Sequence, residues 1–207
     1  MMGFPPRIAI ATRNPHKIQE IARICSGWPV AWLTVHDDEP PAFPEVEETG
    51  DTYLANASLK ARAVAAALGV HALADDSGIE VDALGGRPGV RSARYAGERA
   101  TDEQNLRELL RAIKGVPGGG RTARYRCLAV LSSPDGTLTT AEGVCEGTLA
   151  AAPRGDGGFG YDPAFVPAGW DETMAELPPE EKDRISHRGK AFRALRAALE
   201  GGPGNQG

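Results

Sequence analysis

Residues 7–17 read RIAIATRNPHK and place a short apolar run directly before a polar segment. The run at 7–11 predicts a β-strand, and residues 12–15 predict the loop that follows it. Pro15 suits the first turn of a helix, and Ile18, Ile21 and Cys25 recur at helical spacing. The segment therefore predicts a strand, a loop and then a helix over about 15–25.

Helices are also predicted further along the chain. Residues 52–68 carry an apolar stripe at helical spacing, followed by Gly69 as a helix terminator; the stripe comprises Leu54, Ala57, Ala61, Val64, Ala65 and Leu68. Thr101 and Gln104 form a capping box that begins another helix. A short helix is predicted from Pro178, and a last one over about 186–199.

The remaining apolar runs predict strands. Residues 121–132 and 137–149 are joined by Ser133-Pro134-Asp135-Gly136, which predicts a hairpin. Further strands are predicted at 28–35, 71–74 and 79–83, the last two on either side of a tight turn. Since a hairpin and crossover helices occur together, we predict an α/β fold whose β-sheet is mixed and flanked by helices.

Length and composition limit the class of protein. The chain has 207 residues, of which 41% are hydrophobic and 25% charged, with a net charge of −5. This balance fits one domain over 1–200 followed by a flexible tail at 201–207, and it argues against a nucleic-acid partner. Three widely spaced cysteines, no signal-peptide pattern and no long apolar run predict a cytoplasmic protein with no membrane partner.

The first polar cluster follows the first strand. It contains Thr12, Arg13, Asn14, Pro15, His16 and Lys17. Backbone N–H groups at a helix N-terminus, with a hydroxyl, an amide and a lysine, can cradle phosphates. On this segment alone, a simple capped helix start is an equally good interpretation.

The second cluster is acidic. Asp75 and Asp76 precede Ser77-Gly78, and two adjacent carboxylates can bind Mg²⁺ or activate a water molecule. Asp-Ser-Gly is also ordinary turn chemistry, although a turn has no need of paired aspartates. Glu45, Glu47 and Glu48 lie in an acidic, proline-rich connector and could add ligands, or could form a solvated loop.

The third and fourth clusters follow the hairpin. Gly155, Gly157 and Gly160 match GxGxxG, but Pro163 and Pro167 exclude the helix that a Rossmann site needs. Phe159 and Tyr161 beside glycines can stack on a flat base, or can face the core instead. Basic side chains are concentrated near the start of the last helix, at Lys182, His187 and Arg188. Positive charge at a helix N-terminus is unfavourable unless an anion or a carbonyl is bound nearby. Together the four clusters provide what a nucleoside triphosphate site requires.

Five segments, over about Ile8 to Leu199, resemble the motifs of the inosine triphosphate pyrophosphatases, also called non-canonical purine NTP pyrophosphatases. The segments are ATRNPHKIQE, EETGDTYLANASLKA, ADDSGIEVDALGGRPGVRSARYAG, GGFGYDPAF and EEKDRISHRGKA. Arg13 stands where glycine is common, and Ile79 where leucine is common. The resemblance implies hydrolysis of ITP, dITP and XTP to monophosphate and pyrophosphate, which removes deaminated purines from the nucleotide pool.

The resemblance also implies roles for individual residues. Residues 12–17 would hold the triphosphate, and Asp76 would be the general base and a Mg²⁺ ligand, with Glu48 and Asp75 as further metal ligands. Ser77 would touch the substrate. The base and ribose pocket would comprise Phe159, Gly160, Tyr161, Asp162, Lys182, His187 and Arg188. Two lobes with the active site in the cleft between them, and a homodimer, are implied as well.

Base selection has a simple chemical explanation. Hypoxanthine and xanthine carry a 6-keto acceptor where adenine carries an amino donor, so a donor from Arg188 or protonated His187 would favour the keto group. Two alternatives remain open at this stage. One is hydrolysis of another nucleotide, such as a modified pyrimidine triphosphate, and the other is a nucleotide-binding module without catalysis.

Overall fold

The computed structural model describes residues 3–37 and 42–201. Its helices are α1 (Pro15–Ile24), α2 (Tyr53–Leu68), α3 (Asp102–Ala112), α4 (Pro179–Ile185) and α5 (His187–Gly201). Its strands are β1 (Arg7–Ile10), β2 (Ala31–Leu33), β3 (His71–Val81), β4 (Thr122–Ser132), β5 (Leu138–Leu149) and β6 (Phe165–Pro167). Short 3₁₀ helices lie at Asp82–Leu84, Gly89–Arg94 and Gly118–Gly120.

The strands form one sheet in the order β2-β1-β3-β4-β5-β6. Strand β1 runs parallel to both β2 and β3, whereas β5 and β6 are antiparallel. The predicted α/β fold with a mixed sheet is therefore confirmed.

The chain divides into two compact units. Unit 1 comprises the described parts of residues 1–76, 127–143 and 188–207, and unit 2 comprises residues 77–126 and 144–187. Strands β3, β4 and β5 each contribute residues to both units. The predicted cleft between two lobes stays a prediction.

In unit 1, helices cover both faces of the sheet. Ile8 and Ile10 of β1 pack in one hydrophobic cluster with residues of α1 and α5, while Ala9 and Ala11 pack with the alanines of α2. This alternation arises because successive side chains of a strand point to opposite faces. The small side chains on this face allow α2 to pack closely against β1 and β3.

In unit 2, one face of the sheet is covered and the other is charged. Residues of β3, α3 and β6 pack together in one cluster that includes Ile79, Leu109 and Phe165. On the opposite face Arg124 pairs with Asp82 at 2.9 Å and with Glu146 at 3.1 Å. The unit therefore has a helix-covered core and a polar outer face.

Local sequence signals place several helix ends correctly. Thr52 caps α2, and Gly69 ends it in the left-handed conformation with φ of 64°. Thr101 and Gln104 form the predicted capping box at α3. Helix α5 extends to Gly201, one residue into the predicted tail, and residues 202–207 lie outside the described residues.

The prediction of two strands around a turn at 75–78 is wrong. Residues His71–Val81 form one continuous strand, with Asp75, Asp76 and Ser77 inside it. A strand tolerates buried carboxylates here because lysine, arginine and asparagine side chains from other elements bind them. Those partners are distant in sequence, so the local pattern pointed to a turn instead.

Two smaller predictions also differ from the structure. Strand β2 is limited to Ala31–Leu33, because residues 35–37 turn and Asp37 accepts hydrogen bonds from Thr34. Leu54, predicted in the apolar stripe of α2, is 43% exposed, whereas Asn56 and Lys60 are buried. The acidic connector is described only from residue 42 onward; residues 38–41 lie outside the described residues.

The hairpin between β4 and β5 yields a prediction about pH. Hydrogen bonds from the Ser133 hydroxyl and the Thr137 N–H lower the pKa of Asp135 to about 2. Because the folded pKa is depressed, the stabilisation is present above the unfolded value of about 3.9 and is lost as the pH falls through about 2. Carboxyl NMR titration should give a midpoint near 2 for Asp135, moving upward in Ser133→Ala. A midpoint near 4 in the unaltered protein would contradict it.

Candidate active site

Unit 1 contains the first polar cluster at the junction of β1 and α1. The Asn14 side chain caps α1 by accepting hydrogen bonds from the N–H groups of His16, at 2.9 Å, and Lys17, at 3.2 Å. The Thr12 hydroxyl accepts from the Asn14 N–H at 3.2 Å, and Arg13 donates to the Phe43 carbonyl at 3.0 Å. The N-terminus of α1 is thus capped by the Asn14 side chain.

Asp75 belongs to the second, acidic cluster and is its most buried carboxylate, with its side chain fully inaccessible to solvent. One oxygen, Oδ2, accepts from the Lys17 Nζ at 3.1 Å and from Arg188 Nε and Nη2 at 3.3 and 3.1 Å. Burial would raise the pKa of Asp75, but the charges of Lys17 and Arg188 outweigh burial and hold it far below its ordinary value. Asp75 therefore carries a permanent negative charge that fixes two cations.

Asp76 lies next along β3 in a different environment. Its Oδ2 accepts from the Asn56 Nδ2 at 3.1 Å, and its Oδ1 is 3.9 Å from the Lys60 Nζ. Burial raises the pKa of Asp76, while Lys60, Lys17 and the Asn56 hydrogen bond lower it and Glu48 raises it; the net result is an increase. A carboxylate with a raised pKa is a better proton acceptor than an ordinary aspartate.

Lys60 connects Asp76 to the acidic connector. Its Nζ donates to Glu48 Oε1 at 2.7 Å and to the Asp75 carbonyl at 2.8 Å. Burial would lower the pKa of Lys60, but the neighbouring Glu48, Asp76 and Asp75 raise it overall, so the ammonium stays charged. The carboxylates of Glu48 and Asp76 thus converge on one cation.

This convergence bears on the predicted metal. Within residues 3–37 and 42–201, no three His, Cys, Asp or Glu residues are grouped so that they could hold a metal ion. Mg²⁺ is commonly held by one or two carboxylates together with water and substrate phosphates, so the pair Glu48 and Asp76 fits that ion. Oδ2 of Asp75 binds Lys17 and Arg188, and the predicted role of Asp75 as a further metal ligand stays a prediction.

Unit 2 contains a cluster of side chains around the buried Asp162. We call it the aromatic cluster; it comprises Phe159, Tyr161, Tyr125, Lys182 and His187. The Asp162 carboxylate accepts from the Lys182 Nζ, from the Phe159 N–H at 2.9 Å and from the Tyr125 hydroxyl at 3.2 Å. Gly158 has φ of +69°, and a Cβ there would lie 2.2 Å from Asp162 Oδ2. The glycine loop can therefore fold over Asp162 only because residue 158 has no side chain.

The rings of this cluster make defined contacts. His187 stacks on Tyr125 with centroids 4.5 Å apart and an interplanar angle of 7°. The Lys182 Nζ lies 5.0 Å from the centroid of Phe159. Tyr161 faces the core, where its hydroxyl donates to the Ser92 carbonyl at 2.7 Å. Of the two predicted stacking aromatics, Phe159 is the more accessible.

The remaining predicted residues lie beside these two clusters. The Gly160 N–H donates to Asp102 at the start of α3, at 3.0 Å. Ser77 follows Asp76 directly but is the first residue of unit 2, and Arg188 follows His187 but belongs to unit 1. Arg188 was expected in the base pocket; its guanidinium contacts Asp75 and Glu20. Its role toward a base stays a prediction.

Four residues that contact the predicted site residues were not predicted from the sequence: Glu20, Asn56, Lys60 and Tyr125. Asn56 and Lys60 are four residues apart on the buried face of α2, so polar side chains interrupting an apolar helix face were the available signal. Glu20 and Tyr125 gave no such signal, since their partners Arg188, Asp162 and His187 are distant in sequence.

Comparison with known proteins identifies the family of this chain. Residues 8–198 match the model of the Ham1 family, and the chain belongs to that family. A dITP/XTP pyrophosphatase of Geobacter sulfurreducens is 50% identical, spanning 93% of this chain and 96% of the relative. One of Bacillus subtilis is 47% identical, spanning 92% and 96%.

Solved structures agree with the fold. A HAM1 protein from Coxiella burnetii superimposes with a TM-score of 0.84 at 37% identity, covering 95% of this chain and 99% of that one. The Ham1 protein of Staphylococcus aureus gives 0.80 at 41% identity, covering 94% and 98%. Among the described residues, no helix is both long and apolar enough to cross a membrane.

Proposed function

We propose that this chain hydrolyses dITP, XTP and ITP to the nucleoside monophosphate and pyrophosphate, and so removes deaminated purines from the nucleotide pool. The observation that carries the proposal is the cluster formed by the buried Asp76 and Lys60 with the partly exposed Glu48, within a Ham1-family fold. Relatives named dITP/XTP pyrophosphatase at about half identity support the substrate class.

The reaction depends on Mg²⁺ in this proposal, with Glu48 and Asp76 as its protein ligands. When bound, the ion neutralises charge on the phosphate oxygens and polarises the bond that breaks. Asp75, which the sequence also suggested as a ligand, instead holds Lys17 and Arg188 by ion pairing. Its contribution to the metal is therefore indirect.

Asp76 is the general base. Its carboxylate, which shares Lys60 with Glu48, would accept a proton from the water that attacks the α-phosphorus. Asn56 donates to Oδ2 of this carboxylate, which leaves Oδ1 as the oxygen that takes the proton. In-line attack then separates the monophosphate from pyrophosphate.

Lys17 and its segment bind the triphosphate. The side chain of Lys17 is 15% exposed and lies in the first turn of α1, where the helix dipole adds positive potential. Lys17 and Arg13 would neutralise negative charge that develops on the leaving pyrophosphate, and Thr12, Asn14, Pro15 and His16 would line the triphosphate beside them.

The base and ribose are held by the aromatic cluster of unit 2. Phe159 stacks on the base, and Lys182 is kept in place by Asp162. His187, stacked on Tyr125, can donate an imidazole N–H to a 6-keto oxygen. A mispaired 6-amino group costs about 1–3 kcal/mol, which is enough for roughly tenfold to over a hundredfold rejection of adenine.

Pyrophosphate release tests the proposal directly. With Mg²⁺ at slightly alkaline pH, we expect strong turnover of ITP, dITP and XTP, weak turnover of ATP, and none with EDTA. We also expect weak turnover of GTP, which shares the 6-keto group and must be excluded through its 2-amino group. Equal turnover of all purines would refute keto recognition, and preference for a pyrimidine would refute the base-pocket assignment. No pyrophosphate from any nucleotide, with tight ITP binding, would indicate a binding module.

Assembly and location complete the proposal. From the resemblance to the family we infer a cytoplasmic homodimer. Sedimentation equilibrium should give twice the chain mass of 21.8 kDa, and a monomer at micromolar concentration would contradict it.

A further inference from the structure

Asn56 is a fully buried polar residue on α2 whose side chain contacts two separate segments. Its Nδ2 donates to Asp76 Oδ2 at 3.1 Å, and its Oδ1 accepts from the Gly50 N–H at 2.8 Å. It caps no helix, and its neighbours on the buried face of α2 include Ala57 and Ala61. Neither helix formation nor apolar packing therefore accounts for an asparagine at this position.

We propose that Asn56 is a positioning residue, which fixes the carboxylate of Asp76 and the loop carrying Glu48 relative to each other. The inference rests on the proposed function, because it gives these two carboxylates their joint task. Asn56 itself touches no reacting atom in this proposal.

The contact with Asp76 orients the proposed base. Without the Asn56 donor, the Asp76 carboxylate would lose the hydrogen bond that fixes which of its two oxygens faces Lys60. With Oδ2 held by Asn56, Oδ1 is the oxygen directed toward Lys60 and, through it, toward Glu48.

The contact with Gly50 orients the acidic loop. Gly50 lies two residues after Glu48, and a Cβ at Gly50 would lie 2.8 Å from Asn56 Oδ1 and 2.7 Å from the Ala55 Cβ. The loop can approach α2 this closely only because residue 50 is glycine. Since the amide oxygen must accept from Gly50, the amide nitrogen must face Asp76, so the two bonds determine each other.

Unit 2 offers a matched control. Asn105 on α3 is also buried, accepts from the Ala96 N–H at 2.8 Å and donates to the Ala93 carbonyl at 3.0 Å. Asn105→Leu and Asn56→Leu each remove one buried donor and one buried acceptor bond. Only Asn56 contacts a residue of the proposed catalytic machinery.

The test compares these two variants with the unaltered protein. We expect Asn56→Leu to lower kcat for ITP about 10- to 100-fold, as is typical when a residue supporting a metal site is lost, with KM changed less than threefold. The Mg²⁺ concentration for half-maximal rate should rise, and calorimetry without nucleotide should show weaker Mg²⁺ binding. Asn105→Leu should lose similar thermal stability but keep kcat and Mg²⁺ dependence.

Gly50→Ala provides a second route if Asn56→Leu does not fold. The added Cβ pushes the loop away from Asn56 without altering the core, and we expect about a tenfold fall in kcat. Gly27→Ala is its control, since a Cβ there meets only the Arg196 guanidinium at 3.4 Å.

Three results would overturn the inference or separate it from the proposed function. Unchanged kcat and Mg²⁺ dependence in folded Asn56→Leu, or in Gly50→Ala, would remove the positioning role. A loss of kcat equal to that of Asn105→Leu would assign Asn56 a purely structural role. An unaltered protein that binds Mg²⁺ but releases no pyrophosphate would refute the proposed function, while calorimetry would still decide the role of Asn56.

Discussion

Asp76→Asn is expected to lower pyrophosphate release from ITP by about 10³-fold while leaving the fold intact. Asparagine has the same shape, but its amide cannot accept a proton from water at neutral pH. Lys60 keeps its bonds to Glu48 and to the Asp75 carbonyl, so the substitution leaves this buried lysine with acceptors. The loss should therefore appear in kcat rather than in stability.

The measurement pairs steady-state kinetics with thermal unfolding. Asp82→Asn is a suitable control, because Asp82 follows the same strand but lies on the charged outer face of unit 2. We expect Asp82→Asn to retain activity within about twofold, since surface substitutions change stability little. Rates like those of the unaltered protein in Asp76→Asn would remove Asp76 as the base.

Arg188→Met is expected to lower the free energy of unfolding by about 3–5 kcal/mol, because it breaks a buried ion-pair network. Arg188 is 2% exposed and binds both Asp75 and Glu20, which are themselves buried. Removing the guanidinium leaves two carboxylates with less compensating charge in a poorly solvated environment. For a chain of this size the midpoint of thermal unfolding should fall by about 10 °C.

The same helix supplies the control for this prediction. Arg196 on α5 pairs with Glu200 at 2.7 Å, but both side chains are at least 41% exposed. Arg196→Met should cost only about 0–1 kcal/mol, as exposed ion pairs do. The double variant Glu20→Gln with Arg188→Met should regain part of the loss, since it removes one buried charge. Equal costs for the two single variants would show that the network is not what stabilises this region.

The same network explains why the two adjacent aspartates differ. Asp75 faces Lys17 and Arg188, which depress its pKa, whereas Asp76 is held mainly by an amide and a more distant ammonium. Identical side chains one residue apart on a strand point to opposite faces, so their surroundings differ. Asp75 is suited to fixing cations, and Asp76 to proton transfer.

Features that depend on near neighbours could be predicted from the amino-acid sequence. The caps at Asn14, Thr52 and Thr101 and the turn at 133–136 were predictable, because each involves hydrogen bonds between residues two to four apart. The alternation of apolar residues with these signals was sufficient for the α/β fold and its mixed sheet. The motif order was sufficient to suggest the family.

The surroundings of the acidic cluster, in contrast, depend on contacts between residues that are far apart in the chain. The partners of Asp75 come from 58 and 113 residues away, and Lys60 reaches Glu48 and Asp76 from a helix predicted as an apolar stripe. These long-range ion pairs turn a predicted loop into a buried strand and place Arg188 beside Asp75. Local patterns record the conformational preference of a segment, whereas the desolvation and pairing of buried charges depend on which distant side chains the fold brings into contact.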